Sequence, residues 1–253
     1  MIKKLIPLKI KTQLKIIIKF CLIKKNTYFN KRKLKKINTN QFLIENIKKV
    51  KSIEELIYFH FDTYSVLSHI NRDMFTLVLN HFSGKSLNIL ETGSAAHGSK
   101  SSMLFAGYVI KFGGSFNTVD INPDIKSFYE FIENKNVKFH TYDSVDYIEK
   151  LEPSYLSKLD IVFLDSVPID LKFPHSAQNH VLKEFLLVDA HVKKGTIVAI
   201  DDTPNNFELW GTNEKNNLDF IPGNGRYVLD YLEENKGTYE ILYHHYSVVL
   251  KKL

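Results

Sequence analysis

The chain has 253 residues, 44% of them apolar, a single cysteine and a formal net charge of +6. That length suits one large domain, or a domain with an arm; the lone Cys21 excludes an internal disulfide and a cysteine-based zinc site, and it points to a reducing, cytoplasmic compartment. Residues 1–51 hold 16 Lys/Arg against the single acidic Glu45, and the rest holds 18 basic against 27 acidic residues, so a basic arm precedes an acidic body.

Residues 1–25 mix Lys with Ile and Leu. Lys9, Lys11, Lys15, Lys19 and Lys24 break every apolar run well short of the ~18 residues that span a bilayer, and they make a poor secretory signal. Wound as a helix after Pro7, the segment carries Leu14, Ile17, Ile18, Cys21 and Leu22 on one stripe and Lys11, Lys15 and Lys19 on another. Two readings stand side by side. One is a basic amphipathic helix lying on an anionic membrane surface, which would make the protein peripheral at the inner face of a membrane. The other is a solvated arm with a bias toward Lys, Ile and Asn. After a second basic cluster, Lys31 to Lys36, a helix is expected at 40–50, and Ser52 with Glu55 forms a capping box for the next. Residues 52–82 are expected to be helical throughout, with His69, Arg72 and Asp73 among apolar neighbours. The expected organisation is a basic arm over 1–51, a helical preface over 52–84 and an α/β domain over 85–253.

From Leu87 the pattern alternates. Strands are expected at 87–91, 115–120, 137–141, 160–164, 196–201, 238–243 and 246–251, and helices at 99–111, 124–134, 144–151, 177–192 and 225–235. Short apolar strands with helical crossovers predict a mostly parallel sheet with helices on both faces. Only His244 and His245 separate the last two strands, too few for a parallel crossover, so these form an antiparallel hairpin. The fold class is α/β: a seven-stranded, mostly parallel, Rossmann-like sheet with an N-terminal helical extension.

Strand 87–91 ends on Glu91, and a loop with Gly93, Ser94 and Gly98 comes next, before Ser99, which stands where it can cap a helix. Glycine lets a ligand approach the backbone, and the next helix offers it unpaired N–H groups. Gly93 and Gly98 have the gap of a phosphate-binding P-loop, but Ser99 and Lys100 are in the wrong order for it. The dinucleotide fingerprint fails at Ala95. An acidic residue, a glycine and a polar loop suit a cofactor with a ribose and no phosphate. They resemble motif I of the class I S-adenosylmethionine-dependent methyltransferases, and the order of elements over 85–253 resembles that fold.

The resemblance implies an activity and a site. In open α/β sheets ligands bind beyond the carboxyl ends of the strands. There Asp120 would pair with both ribose hydroxyls, Ile121 would lie against the adenine, and Asp143 and Ser144 would contact the adenine edge. A simpler reading makes Asp124 and Ser144 helix caps. The pattern of Asp165 after the fourth strand and Asp201-Asp202 after the fifth is similar to the metal-dependent sugar O-methyltransferases of the macrocin O-methyltransferase group. That likeness makes Asp165, Asp201 and Asp202 ligands of Mg²⁺, with Asp165 also placed at the reacting hydroxyl; carboxylates and waters are the donors Mg²⁺ prefers. His175 resembles a histidine of related families, although it comes ten residues after Asp165 and Ala177 stands where those families have tyrosine; the general base is expected to be His175 or one of the carboxylates, and a simpler reading makes His175 a capping or surface residue. The long segment from Thr203 to Arg226, with Trp210, Phe220 and the Gly223–Tyr227 turn, reads either as a flap over a polar substrate, the turn holding an anionic part of it, or as a floppy insertion.

The expected function is O-methylation of a sugar or other small-molecule hydroxyl. Nucleic acid is not an expected partner, because the body is acidic and an Asn/Asp-Pro-Pro-Tyr/Phe motif is absent. A nucleic-acid methyltransferase using the basic arm, and a non-catalytic membrane protein that keeps the fold, are the alternatives.

Overall fold

Seven short runs rich in β-branched and aromatic residues form one sheet: β1 (Leu87–Thr92), β2 (Gly114–Asp120), β3 (Val137–Thr141), β4 (Ile161–Leu164), β5 (Ile197–Ile200), β6 (Tyr239–His244) and β7 (Val248–Lys252). This computed structural model describes residues 40–65, 69–94, 99–210 and 220–253; the basic segment at 1–25 and Gly98 lie outside the described residues. The chain divides into two units, Met1–Leu43 and Ile44–Leu253, and the second holds both the preface and the sheet.

The strand order is β3-β2-β1-β4-β5-β7-β6. β1 to β5 pair in parallel, and β7 is antiparallel to both β5 and β6. Every residue of β4 and β5 is buried, as central parallel strands require, whereas β6 at the edge is partly exposed. The expected mostly parallel sheet with a terminal hairpin is therefore present.

The register sets the composition of the sheet's carboxyl edge. Thr92 stands opposite Val119 on one side and Leu164 on the other, Leu164 faces Ile200, and Ile200 faces Val248. The next residues outward are Asp120, Gly93, Asp165 and Asp201, with Ser247 beside Asp201 on the antiparallel strand. One row across the sheet edge thus carries Asp120, Gly93, Asp165 and Asp201, all singled out from sequence.

The helices are α1 (Asn40–Lys49), α2 (Ile53–Phe59), α3 (Arg72–His81), α4 (Ser101–Phe112), α5 (Asp124–Tyr129), α6 (Ser144–Glu149), α7 (Pro153–Leu156), α8 (His175–Asp189) and α9 (Arg226–Glu234). Ser52 caps α2 by accepting the Glu55 N–H at 3.2 Å, while the Glu55 carboxylate takes the Lys51 N–H at 2.7 Å, one residue earlier than a capping box requires. The expectation of unbroken helix over 52–82 fails. After α2 the chain makes a π turn, His60–Tyr64, and the next helix starts only at Arg72. The wider turn leaves both His60 and Phe61 buried, which the tertiary packing of this layer demands over local propensity. The helix expected at 124–134 also stops early, at Tyr129, where the chain turns back through an Asn134–Val137 bridge into β3.

Phe75 of α3 packs on Phe163 of β4 and Phe105 of α4, at ring separations of 5.3 and 5.6 Å, and Phe105 continues the cluster to Phe116 of β2 at 5.8 Å. The preface is thereby built into the core of the sheet. Phe75→Ala, at a fully buried position, is expected to cost about 3–5 kcal/mol and to lower the melting temperature measured by calorimetry; an unchanged melt would mean that this layer does not support the sheet.

Candidate active site

Gly93 leaves β1 with φ +82°, and its N–H reaches Val119 O at 2.8 Å. A Cβ there would stand 1.9 Å from Asp165 O, so glycine is required for β1 to turn between its two neighbours. Ser94 comes next, donating its N–H to Asp120 Oδ2 at 2.9 Å, and Asn122 donates its own to Oδ1 at 2.8 Å. The Asp120 carboxylate is held by one backbone donor on each oxygen, which leaves acceptor capacity on both. Ile121 beside it is 74% exposed, an apolar side chain turned out at the lip of a cleft.

That cleft has a volume of about 200 Å³ and is lined by Gly93, Asp120, Ile121, Tyr142, Ser144 and His180, among others. A larger, more open groove of about 600 Å³ runs past Asn46, Val50 and Tyr58 on the helical layer, away from the strand ends. Volume alone does not choose between them; the convergence of the strand ends does. Asp143 turns out to cap α6, taking the N–H groups of Val145 and Asp146 at 2.9 and 3.2 Å. The Ser144 hydroxyl pairs with His180 Nε2 at 2.9 Å.

Glu91 is fully buried and accepts from Ser102 at 2.5 Å. Burial pushes its carboxyl up to about 7, against the opposing pull of the Ser101, Ser102 and Thr118 hydroxyls. Ser99 does not cap the helix after it: α4 begins after Lys100, a left-handed residue at φ +52° whose side chain makes no capping bond. Ser99 instead offers its carbonyl to His60 Nε2 at 2.7 Å and Ser65 Oγ at 3.1 Å, so the preface pins the loop. Burial drives the His60 imidazole down to about 4, and it is neutral at physiological pH.

At the next strand ends the carboxylates gather. Burial first, and then the charges of Asp201, Asp202, Glu91 and Glu184, hold Asp165 well above the ordinary carboxylate range. Asp202, in left-handed backbone at φ +47°, is raised to about 6 by burial and by Asp201, while a bond from Tyr246 opposes the rise. Asp201 is satisfied differently. Its Oδ1 accepts from Asn71 Nδ2 at 2.7 Å, Ser247 Oγ at 2.6 Å and the Asp202 N–H at 2.8 Å. His69 lies close enough for the Asp201 charge to oppose the downward pull that burial exerts on its imidazole.

The donor chemistry at these two strand ends suits Mg²⁺, since a divalent cation would relieve the repulsion that raises Asp165 and Asp202. Among the described residues, however, no three His, Cys, Asp or Glu side chains are drawn together as a ready ligand set.

The partners of His175 are Tyr227, whose hydroxyl is 2.5 Å from Nδ1, and the Phe220 ring at 6.1 Å. Exposed at the start of α8, it belongs to the rim near the flap. The described parts of the flap are fastened at several points: Trp210 Nε1 to Pro222 O at 2.9 Å, the Asn224 N–H to Asp202 O at 2.8 Å and the Gly225 N–H to Thr203 Oγ1 at 2.8 Å. Arg226 pairs with Asp230 at 2.8 Å, one turn further along α9.

His60, Asn71, Tyr246 and Ser247 went unmarked in the sequence. Tyr246 and Ser247 fell within the strand expected at 246–251, whereas β7 begins only at Val248, and for His60 and Asn71 the sequence held no signal. Glu91 makes stability depend on pH. Its folded pKa lies above its unfolded one, so the folded state holds the extra proton between pH ~4.5 and ~7, and the stability this gives is present below that window and lost as pH rises through it, by about 3 kcal/mol. Denaturant melts of Glu91→Gln are expected to show a flatter pH profile than the parent; identical profiles would remove Glu91 as the source.

No protein-family model matches the sequence, and no curated protein matches it. Solved structures do. The MycE methyltransferase from the mycinamycin biosynthetic pathway, in complex with Mg and SAH, superposes with a TM-score of 0.57 at 16% identity, over 81% of this chain and 55% of its own. The same methyltransferase in complex with Mg, SAH and mycinamycin VI gives 0.57 at 15% identity, over 81% and 54%. This chain therefore spans little more than half the length of those structures. The likeness at this identity is one of architecture, and it agrees with the strand order and the cleft: the chain has the Rossmann-like fold of the class I S-adenosylmethionine-dependent methyltransferases.

Proposed function

We propose that the protein is an S-adenosylmethionine-dependent O-methyltransferase whose acceptor is a hydroxyl of a sugar or glycan, assisted by Mg²⁺. The observation that carries the cofactor half is the Asp120–Ile121 corner. A carboxylate held by two backbone amides with acceptor capacity left on both oxygens suits two vicinal ribose hydroxyls, and the exposed Ile121 beside it suits a flat base. The strand spacing puts Asp165 about 10 Å along the edge from Asp120, a fitting distance between a ribose and the oxygen that a sulfonium methyl must reach.

In the reaction the acceptor oxygen forms a bond to the methyl carbon, the carbon–sulfur bond breaks, and the electron pair stays on sulfur. The chain contributes alignment and exclusion of water. The hydroxyl proton passes to whichever of Asp165 and Asp202 the cation leaves free, or to His175. His175, with Nδ1 bonded to the Tyr227 hydroxyl at the rim, is the alternative to the carboxylates for that proton. Asp165, Asp201 and Asp202 would hold Mg²⁺, which supplies Lewis acidity that lowers the pKa of the acceptor hydroxyl. Support for a polar, carbohydrate-like acceptor comes from the aromatic pair beside Asp202, Trp210 and Tyr246, packed at 5.6 Å and 70°, and from the mycinamycin VI bound by the MycE methyltransferase.

Calorimetric titration with S-adenosylhomocysteine is expected to show binding that Asp120→Ala weakens about 100-fold, the loss of two charge-assisted hydrogen bonds. No heat at millimolar ligand with the parent chain would end the methyltransferase reading. For the metal, Mg²⁺ is expected to raise the melting temperature more at pH 8 than at pH 5, as Asp202 and Asp165 lose their protons, and Asp202→Asn is expected to abolish the increment. A melt indifferent to Mg²⁺ at both pH values would leave the cofactor half standing without the metal.

A further inference from the structure

Asn71 stands where it could cap α3, and it does not. Its side chain makes no bond to the first turn of that helix, although asparagine is among the residues best suited to the task. It is buried instead, with Nδ2 2.7 Å from Oδ1 of Asp201, 130 positions away in sequence. Ser247, fully buried just before β7, brings its Oγ to 2.6 Å from the same oxygen, and the Asp202 N–H reaches it at 2.8 Å. Donors from the preface, the terminal hairpin and the strand end thus converge on one carboxylate oxygen. Among the described residues no hydrogen bond goes to Oδ2.

The direction of these bonds follows from charge. A carboxylate that holds a cation is ionised and only accepts, so the groups facing Oδ1 at these distances must donate. The backbone N–H of Asp202 has no other choice. Ser247 Oγ is also 2.9 Å from Asn71 Oδ1, and its one hydrogen goes to the nearer, charged oxygen. With its lone pairs taken up in this way, Oδ1 has nothing left to share. A ligand that claimed it would have to strip buried donors and leave them without partners, which is unfavourable.

We propose that Asn71 and Ser247 are positioning residues that confine Asp201 to a single-oxygen ligand through Oδ2, and that the site thereby takes Mg²⁺ in preference to Ca²⁺. The inference rests on the metal reading of the strand ends given above. Mg²⁺ is octahedral, keeps several waters and is satisfied by one oxygen of a carboxylate, whereas Ca²⁺ gathers more oxygens and commonly takes both from one carboxylate. Withholding Oδ1 therefore costs Ca²⁺ a ligand and costs Mg²⁺ little. Neither residue touches the cation, and donors that served stability alone would affect both cations alike.

The test loads the full chain with Mn²⁺ at about pH 8 and follows its displacement by Mg²⁺ and by Ca²⁺ through the electron paramagnetic resonance signal of free Mn²⁺. The parent is expected to need about 10-fold less Mg²⁺ than Ca²⁺ for the same displacement. In Asn71→Ala and in Ser247→Ala the two concentrations are expected to approach within about 3-fold of each other, because Ca²⁺ gains an oxygen. Ser247→Thr, which keeps the hydroxyl, is expected to preserve the ratio of the parent. A ratio between two cations does not depend on how much of a variant is folded, and either alanine variant carries the comparison if the other does not fold. Equal displacement by the two cations in the parent, or the parent's ratio in the alanine variants, would overturn the role of Asn71 and Ser247. A parent chain that binds no Mn²⁺ would overturn the metal reading itself, and this inference with it, and would leave the cofactor half of the proposed function in place.

Discussion

Carboxylates set at the ends of adjacent parallel strands repel one another as soon as the sheet forms, and the sheet spacing of about 4.8 Å gives them no room to avoid it. Here the register brings Asp165 and Asp201 to neighbouring strand ends, with Asp202 one residue on and Glu91 just inside the edge. Much of what surrounds the sheet answers that repulsion. Protons are held on Glu91 and Asp202 toward neutral pH, and donors are brought in for Asp201 from both ends of the second unit: Asn71 from the preface and Ser247 from the terminal hairpin.

This gives the preface and the hairpin a common purpose. The preface enters the core through Phe75, and it places His60 under the loop after β1 and Asn71 on Asp201. The hairpin contributes β7, and the turn before it supplies Tyr246 to Asp202 and Ser247 to Asp201. The βα units alone would leave these acids crowded and short of donors. A site that stores unfavourable charge in this way is primed for a ligand that relieves it, whether by a cation or by a hydroxyl able to give up its proton.

The sheet was legible because each strand is a short run of alternating or wholly apolar residues bounded by turn residues, and burial on both faces leaves such runs little choice. The expected span of β3, Val137–Thr141, matches, and the other strands shift by only one or two residues at an end, where pairing partners decide the boundary. The helical preface was less legible. Its apolar spacing is continuous over 52–82, yet the chain breaks it, because seating His60 and Phe61 inside and turning Asn71 toward Asp201 are demands of residues far away in sequence. The same reason accounts for Ser99. A serine before a helix reads as a cap, but its carbonyl was wanted by His60, 39 positions earlier.

Among the site residues, those on the sheet edge could be named in advance, since a strand that ends on an acid in an open α/β fold must present it at the carboxyl edge. Asp120, Asp165 and Asp201 are of this kind, and so is the turn at Gly93. What each acid does once there was not in the sequence. Asp143 spends an oxygen on a helix cap, Asp201 is filled by Asn71 and Ser247, and His175 faces Tyr227, because hydrogen bonds are short and directional and their partners come from anywhere in the fold. Periodicity and strand-end chemistry, which act over a few residues, are written in the sequence; protonation, hydrogen-bond partners and the closing of the cleft depend on groups up to 176 residues apart, as Asn71 and Ser247 are, and only the tertiary structure brings those together.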